Sequence, residues 1–179
     1  SGTAEGITHQ RYYRPNPLKG QLLGWARELA RRGYATLSIT LKGSESRRDT
    51  PELWEREAKL LIPYGRPQMG IVVEETLRAS RVLGAIQGVD PDRIGLTGMS
   101  MGGTGSWWGM ACGPWIRAAA PNMGGVGSLA WNIHHGHVDR HSSFVFVPQL
   151  LRYFDHAQIV AACIAPRPFM MIAATEDED

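Results

Sequence analysis

The sequence predicts an α/β fold: a mostly parallel sheet with helices on both faces. Two observations predict it. Apolar stripes at helical spacing alternate with short β-prone runs from residue 18 to the end, the order expected of parallel strands joined by crossover helices. The chain has 179 residues, 43% hydrophobic and 20% charged, enough for one sizeable core and ordinary for a globular protein. No internal repeat or second domain stands out, so residues 1–179 read as one domain.

The elements follow in order. Leu22, Ala26, Leu29 and Ala30 share one face of 18–32, which predicts a helix, with Arg31 and Arg32 in the last turn and Gly33 just beyond it. "YATLSITL" (34–41) is short and β-prone and predicts a strand. Residues 42–51 form a polar loop, and 51–62 a short helix that starts on proline. Pro63, Gly65 and Pro67 break the chain. Val72, Thr76, Ala79, Leu83 and Ile86 then form one stripe, predicting a long helix over 69–87. "RIGLTG" (93–98) predicts a strand, 101–112 a helix and "IRAAAP" (116–121) a strand. Residues 122–147 read as a long irregular excursion rich in Gly, His and aromatics. Asp155 with Gln158 forms a capping box for a helix over 156–164, and Pro166 and Pro168 precede a last strand, "FMMIAAT".

Composition excludes several functions. The formal net charge is +2, the basic residues are dispersed, and only Arg31-Arg32 and Arg47-Arg48 are paired, which is no nucleic-acid footprint. No apolar run approaches a membrane span, and the first residues carry neither a basic nor an apolar leader region. Cys112 and Cys163 form no CxxC pair and lie near no histidine at ligand spacing, so both are expected to be small buried hydrophobes. No cofactor and no metal is called for. Compartment and oligomeric state are not legible.

The chemistry centres on Gly98-Met99-Ser100-Met101-Gly102. A GxSxG run carries weight only with a strand before it and a helix after it. Both flanks are predicted here. The chain must turn from strand to helix so sharply that the serine adopts a strained backbone. Side chains at Gly98 and Gly102 would collide with neighbouring elements. The corner lifts the Ser100 hydroxyl clear of the sheet and aims the Met101 N–H, at a helix N-terminus, toward a reacting carbonyl oxygen.

With these residues in view, "VDPDRIGLTGMSMGGTGSWWGMA" resembles the nucleophile-elbow block of the α/β-hydrolases, in their dienelactone hydrolase and acetyl-xylan-esterase-like branch. "LLRYFDHAQIVAACIAPRPFMMIAATEDED" resembles that branch's later block, and "ELARRGYATLSI" resembles the helix and strand after its oxyanion loop. The resemblance implies a serine esterase with a triad in the order Ser, acid, His. It implies Asp177 as the acid, with Ala174 where the family usually has glycine. It implies a second oxyanion donor from the 1–6 loop, placed at the Thr3 N–H. The family's histidine would follow Asp177, where this chain stops. A strand would precede the 1–6 loop. The chain is therefore expected to be a fragment lacking N-terminal strands and C-terminal closing elements.

His134, His135, His137, His141 and His156 all precede the acid and break the family order. "HHGHVDRH" is expected to be a loop over the site entrance, ahead of a metal site built from His135, His137 and Asp139. His156 reads as a helix-start residue. Trp107, Trp108, Trp131, Phe144, Phe146, Tyr153 and Phe154 are candidates to line a pocket or to pack the core. The expected partner is a small-molecule ester, carbohydrate esters included, with no nucleic acid and no membrane. Two alternatives stay open: a prolyl-oligopeptidase-type serine peptidase, and a hydrolase-like binding protein without the base.

Overall fold

The computed structural model describes residues 24–43, 47 and 51–173. The expectations for Thr3, for the start of the first helix and for Asp177 lie outside the described residues. Helix α1 (Trp25–Arg31) ends at Gly33, whose φ of 89° suits only glycine comfortably. Helix α2 (Pro51–Leu61) begins on the predicted proline and runs into a 3-10 turn, Ile62–Tyr64. Helix α3 (Gln68–Gly84) buries Met69, Val72, Thr76 and Ser80, a stripe at i, i+3 and i+4 spacing. Its exposed side carries a Glu74–Arg78 ion pair at 2.5 Å, which contributes a few tenths of a kcal/mol at most.

Strand β1 (Gly95–Met99), helix α4 (Met101–Cys112) and strand β2 (Ala118–Asn122) follow. β1 and β2 pair in parallel, with Gly95 opposite Ala118 and Met99 opposite Asn122. A parallel pair needs a crossover, and α4 supplies it. Beyond β2 the sheet continues through two parallel bridges, Ala119 to Phe169 and Asn122 to Ile172. The Met170 and Ile172 N–H groups donate to the carbonyls of Ala119 and Pro121, both at 3.0 Å. The last apolar run thus takes its predicted place as bridges rather than as a full strand. Helix α5 (Leu129–His134) interrupts the excursion, and α6 (His156–Ile159) passes into a π turn, Val160–Ile164.

Packing, not propensity, holds α4. Glycines at 102, 103, 105 and 109 each cost about 1 kcal/mol against alanine in an isolated helix. The helix persists because it lies against both strands, with α3 and the π turn packed on it. At Gly109 a Cβ would come within 2.9 Å of the Thr76 methyl and 3.0 Å of Leu96, so the missing side chain lets α3 and the sheet close in. The main core gathers beneath α4, where Trp107, Met110 and Ile116 are fully buried beside Ile94, Ala119 and Ile164. A second cluster, Leu41, Met69 and Val72, meets Met101, Trp108, Phe144 and Val147.

Three expectations change. Residues 34–41 form no strand. A β-prone run becomes a strand only when a neighbour completes its ladder, and among the described residues none runs beside it. Tyr34 and Leu37 are accordingly exposed. Helices on both faces were expected; the described residues place α4 on one face, while Gly95 and Thr97, which point to the other, are exposed. The cysteines are not buried: Cys112 in the last turn of α4 and Cys163 in the π turn are both free and exposed. No helix among the described residues is long and apolar enough to cross a membrane.

Candidate active site

β1 ends at Met99 and α4 begins at Met101, so a single residue turns the corner. Ser100 does so at φ 54° and ψ −121°, a region that costs a non-glycine residue about 1–3 kcal/mol. It is exposed, and its hydroxyl makes no capping bond to the helix. The backbone fixes it from both sides. Its N–H donates to the Asn122 carbonyl at 3.0 Å, and its carbonyl accepts from the Thr104 N–H at 2.9 Å. Met123, at the matching end of β2, also has a positive φ of 48°. Two strained non-glycine residues thus flank the same end of the sheet.

The glycines around the corner act differently from one another. A Cβ on Gly98 would fall 2.5 Å from the backbone carbon and oxygen of Gly102. A Cβ on Gly103 would fall 2.7 Å from the Asn122 carbonyl oxygen and 2.9 Å from the Gly124 Cα. The predicted collision at Gly102 is not found: among the described residues its Cβ would meet nothing within 4 Å. It is the Gly102 backbone, not its side-chain position, that crosses Gly98, so the crossing requires glycine at 98 and leaves room for a side chain at 102.

The Met101 N–H is the first of α4. The opening N–H groups of a helix have no acceptor within it, so this one is free by geometry to point at an anion. Trp107 Nε1 and Thr104 Oγ1 both donate to the Gly124 carbonyl at 2.9 Å. That carbonyl ties the loop after β2 to the buried side of α4, which steadies the floor under Ser100.

The histidines go elsewhere. His135 stacks on Trp131 with ring centroids 4.0 Å apart, and its Nδ1 meets the Trp131 carbonyl at 2.8 Å. His137 lies edge-on to the same tryptophan at 5.1 Å. The histidine-rich segment is therefore organised around an indole. Among the described residues no group of three or more His, Cys, Asp or Glu could hold a metal. His156 begins α6, as its capping box implies, and is buried against Trp107 at 5.1 Å and Trp108 at 6.1 Å. Its Nδ1 lies 3.2 Å from the Gly125 carbonyl, and burial pushes its pKa below the usual imidazole value.

Asp155 does more than its capping box announced. It accepts from the Ser128 hydroxyl at 2.5 Å, the Leu129 N–H at 2.8 Å and the Ala130 N–H at 3.2 Å, as well as from the His156 N–H at 2.7 Å. Partial burial raises its pKa, but these four donors outweigh that and hold it below the ordinary carboxylate value. One carboxylate thus joins the starts of α5 and α6. Nothing in the spacing of Ser128 and Asp155 gave this away.

Beside α5 lies a largely apolar groove of about 590 Å³, whose lining includes Ile62, Leu129, Ile133, Phe146, Val147 and Leu150 together with the polar Gln149 and Arg152. Val147 also belongs to the cluster that contains Met101, so the groove wall and the residue next to Ser100 share one apolar layer.

The chain is 31% identical over 150 residues to a protein of Bacillus subtilis (strain 168) named "Putative hydrolase YtaP". The match takes in 84% of this chain and 49% of the relative, so the chain spans about half the length of the curated relative it matches. No family model matches the chain, and no solved structure matches it.

Proposed function

We propose that the protein is a serine hydrolase of the α/β-hydrolase kind that cleaves carboxylic esters through an acyl-enzyme on Ser100. The observation that carries this is the conformation of Ser100, exposed and strained at a one-residue corner between strand and helix. Strain of this size at a surface serine is maintained only where surrounding structure enforces it, as the Asn122 and Thr104 hydrogen bonds do. The Bacillus subtilis relative, named a putative hydrolase, supports a hydrolytic reaction without naming its mechanism or substrate.

In this mechanism Ser100 Oγ attacks the ester carbonyl carbon as its proton passes to an imidazole. The oxyanion is held by the N–H groups of Met101 and Thr3. The alcohol leaves with the proton, and water then releases the acid from the serine. Asp177 orients the imidazole. Its assignment is supported by the row Ser100, Asn122, Ile172 across the end of the sheet, since the chain toward Asp177 leaves from Ile172. The base is assigned outside the described residues, following the triad order in which the histidine comes after the acid; His156 is sealed in the core. No cofactor or metal takes part. The groove beside α5 suits an apolar acyl or alcohol group.

The test is covalent labelling of the protein with a fluorophosphonate, together with hydrolysis of short-chain and long-chain nitrophenyl esters. Ser100→Ala is expected to lose all labelling and about 10³-fold or more of the hydrolysis. Labelling that is unchanged in Ser100→Ala would end the proposal.

A further inference from the structure

The far end of α4 from Ser100 carries a feature that hydrolysis does not use. Arg167 closes that end. Its Nη2 donates to the Met110 carbonyl at 2.7 Å and to the Cys163 carbonyl at 2.6 Å, and its Nη1 donates to the Gly113 and Ile116 carbonyls, both at 2.9 Å. The last turn of α4 and the π turn therefore meet at one guanidinium nitrogen. Each of these two turns contributes one of the chain's two cysteines. Both thiols are free and exposed, so an oxidant reaches them without unfolding.

We propose that Cys112 and Cys163 form a redox pair, which a low-molecular-weight disulfide converts to an intramolecular disulfide that staples α4 to the π turn. In the first step one protein thiol loses its proton and attacks the small disulfide, forming a mixed disulfide and releasing one small thiol. In the second step the other cysteine attacks the mixed disulfide and releases the second small thiol. The protein loses two protons and two electrons, and the small disulfide gains them. The Cys112 pKa is raised, first by partial burial of its thiol within an otherwise exposed residue and second by the Cys163 charge, in keeping with the meeting of the two turns at Arg167. Such a thiol is slow to attack, and it is also a poor leaving group, which makes the finished bond hard to reduce. The bond would enclose a loop of roughly 50 residues, a length at which a cross-link restricts the unfolded chain substantially.

The experiment treats the intact protein with oxidised glutathione, then reads free thiols, mass and a tryptic map. The expected result is loss of both free thiols, a mass lower by two hydrogens, and linkage of the peptides covering 94–117 and 153–179. The oxidised chain should melt roughly 5–10 °C higher than the reduced one, reversibly with dithiothreitol. Cys112→Ser and Cys163→Ser should each take up one glutathione and melt no higher. Two thiols that stay free, two separate glutathione adducts, a cross-link between two chains, or an oxidised chain melting no higher than the reduced one would each overturn the proposal.

Discussion

The N–H of Ser100 donates to the carbonyl of Asn122 at 3.0 Å, so the serine that leaves β1 is held by the last residue of β2. Neighbouring parallel strands end together, and the bond between them holds the strained residue in place. Mutations near this corner should therefore alter serine reactivity more than they alter global stability.

Gly98 gives the sharpest contrast. In Gly98→Ala the new methyl would sit 2.5 Å from the Gly102 backbone, and the corner has to shift to admit it. A displacement of about 1 Å at a catalytic group can cost on the order of 100-fold. The fluorophosphonate labelling rate of Gly98→Ala is expected to drop by about that factor. Gly102→Ala, with nothing within 4 Å of its methyl among the described residues, should label within a few-fold of the unchanged protein. Equal labelling rates for the two variants would contradict this geometry.

His156 should make the fold acid-sensitive. Burial lowers its folded pKa below the ordinary imidazole value of 6.5, Asp155 and the Gly125 and Gly127 backbone oppose the shift, and His141 adds to it. Above pH 6.5 the imidazole is neutral in both states and its contribution is complete. Below that, the unfolded chain binds the proton more readily, so stability declines as pH falls toward and through the folded pKa. Melting curves between pH 7.5 and about 4.5 should show this decline, and His156→Gln, which does not titrate, should flatten it. A profile identical in the two proteins would remove His156 as its source.

Arg167 should resist conservative replacement. Its guanidinium also reaches the Ile164 carbonyl through Nε at 3.3 Å, so it serves five carbonyls drawn from α4, the loop that follows it and the π turn. A lysine has three donors on one point and cannot span that spread. Arg167→Lys is expected to lower stability by about 2–4 kcal/mol, measured by urea unfolding. A loss under 1 kcal/mol would mean that water replaces the guanidinium at this site.

The readable parts of the chain were those whose signals are local. The residues around Ser100 name a strand, a corner and a helix within a single stretch, and helix 101–112 has the predicted limits. The capping box of Asp155 and Gln158 likewise needs only neighbours three apart, and α6 starts where it says. Residues 34–41 misled because β-propensity states a preference without supplying a partner strand. The cysteines misled because residue type predicts average burial, while the exposed side of a helix end depends on what packs there. Arg167 was visible only as part of a motif; its five acceptors lie up to 57 positions away in sequence.

By itself, then, the sequence determined where the backbone turns, where helices start, and which serine stands at the corner, since steric and hydrogen-bonding constraints between near neighbours are encoded residue by residue. The tertiary structure alone decided that a glycine-rich segment holds as a helix, that Asp155 joins α5 to α6, and that Cys112 and Cys163 come to the same end of the molecule. Those outcomes depend on burial and contact between distant segments, and such energies exist only once the chain has brought them together.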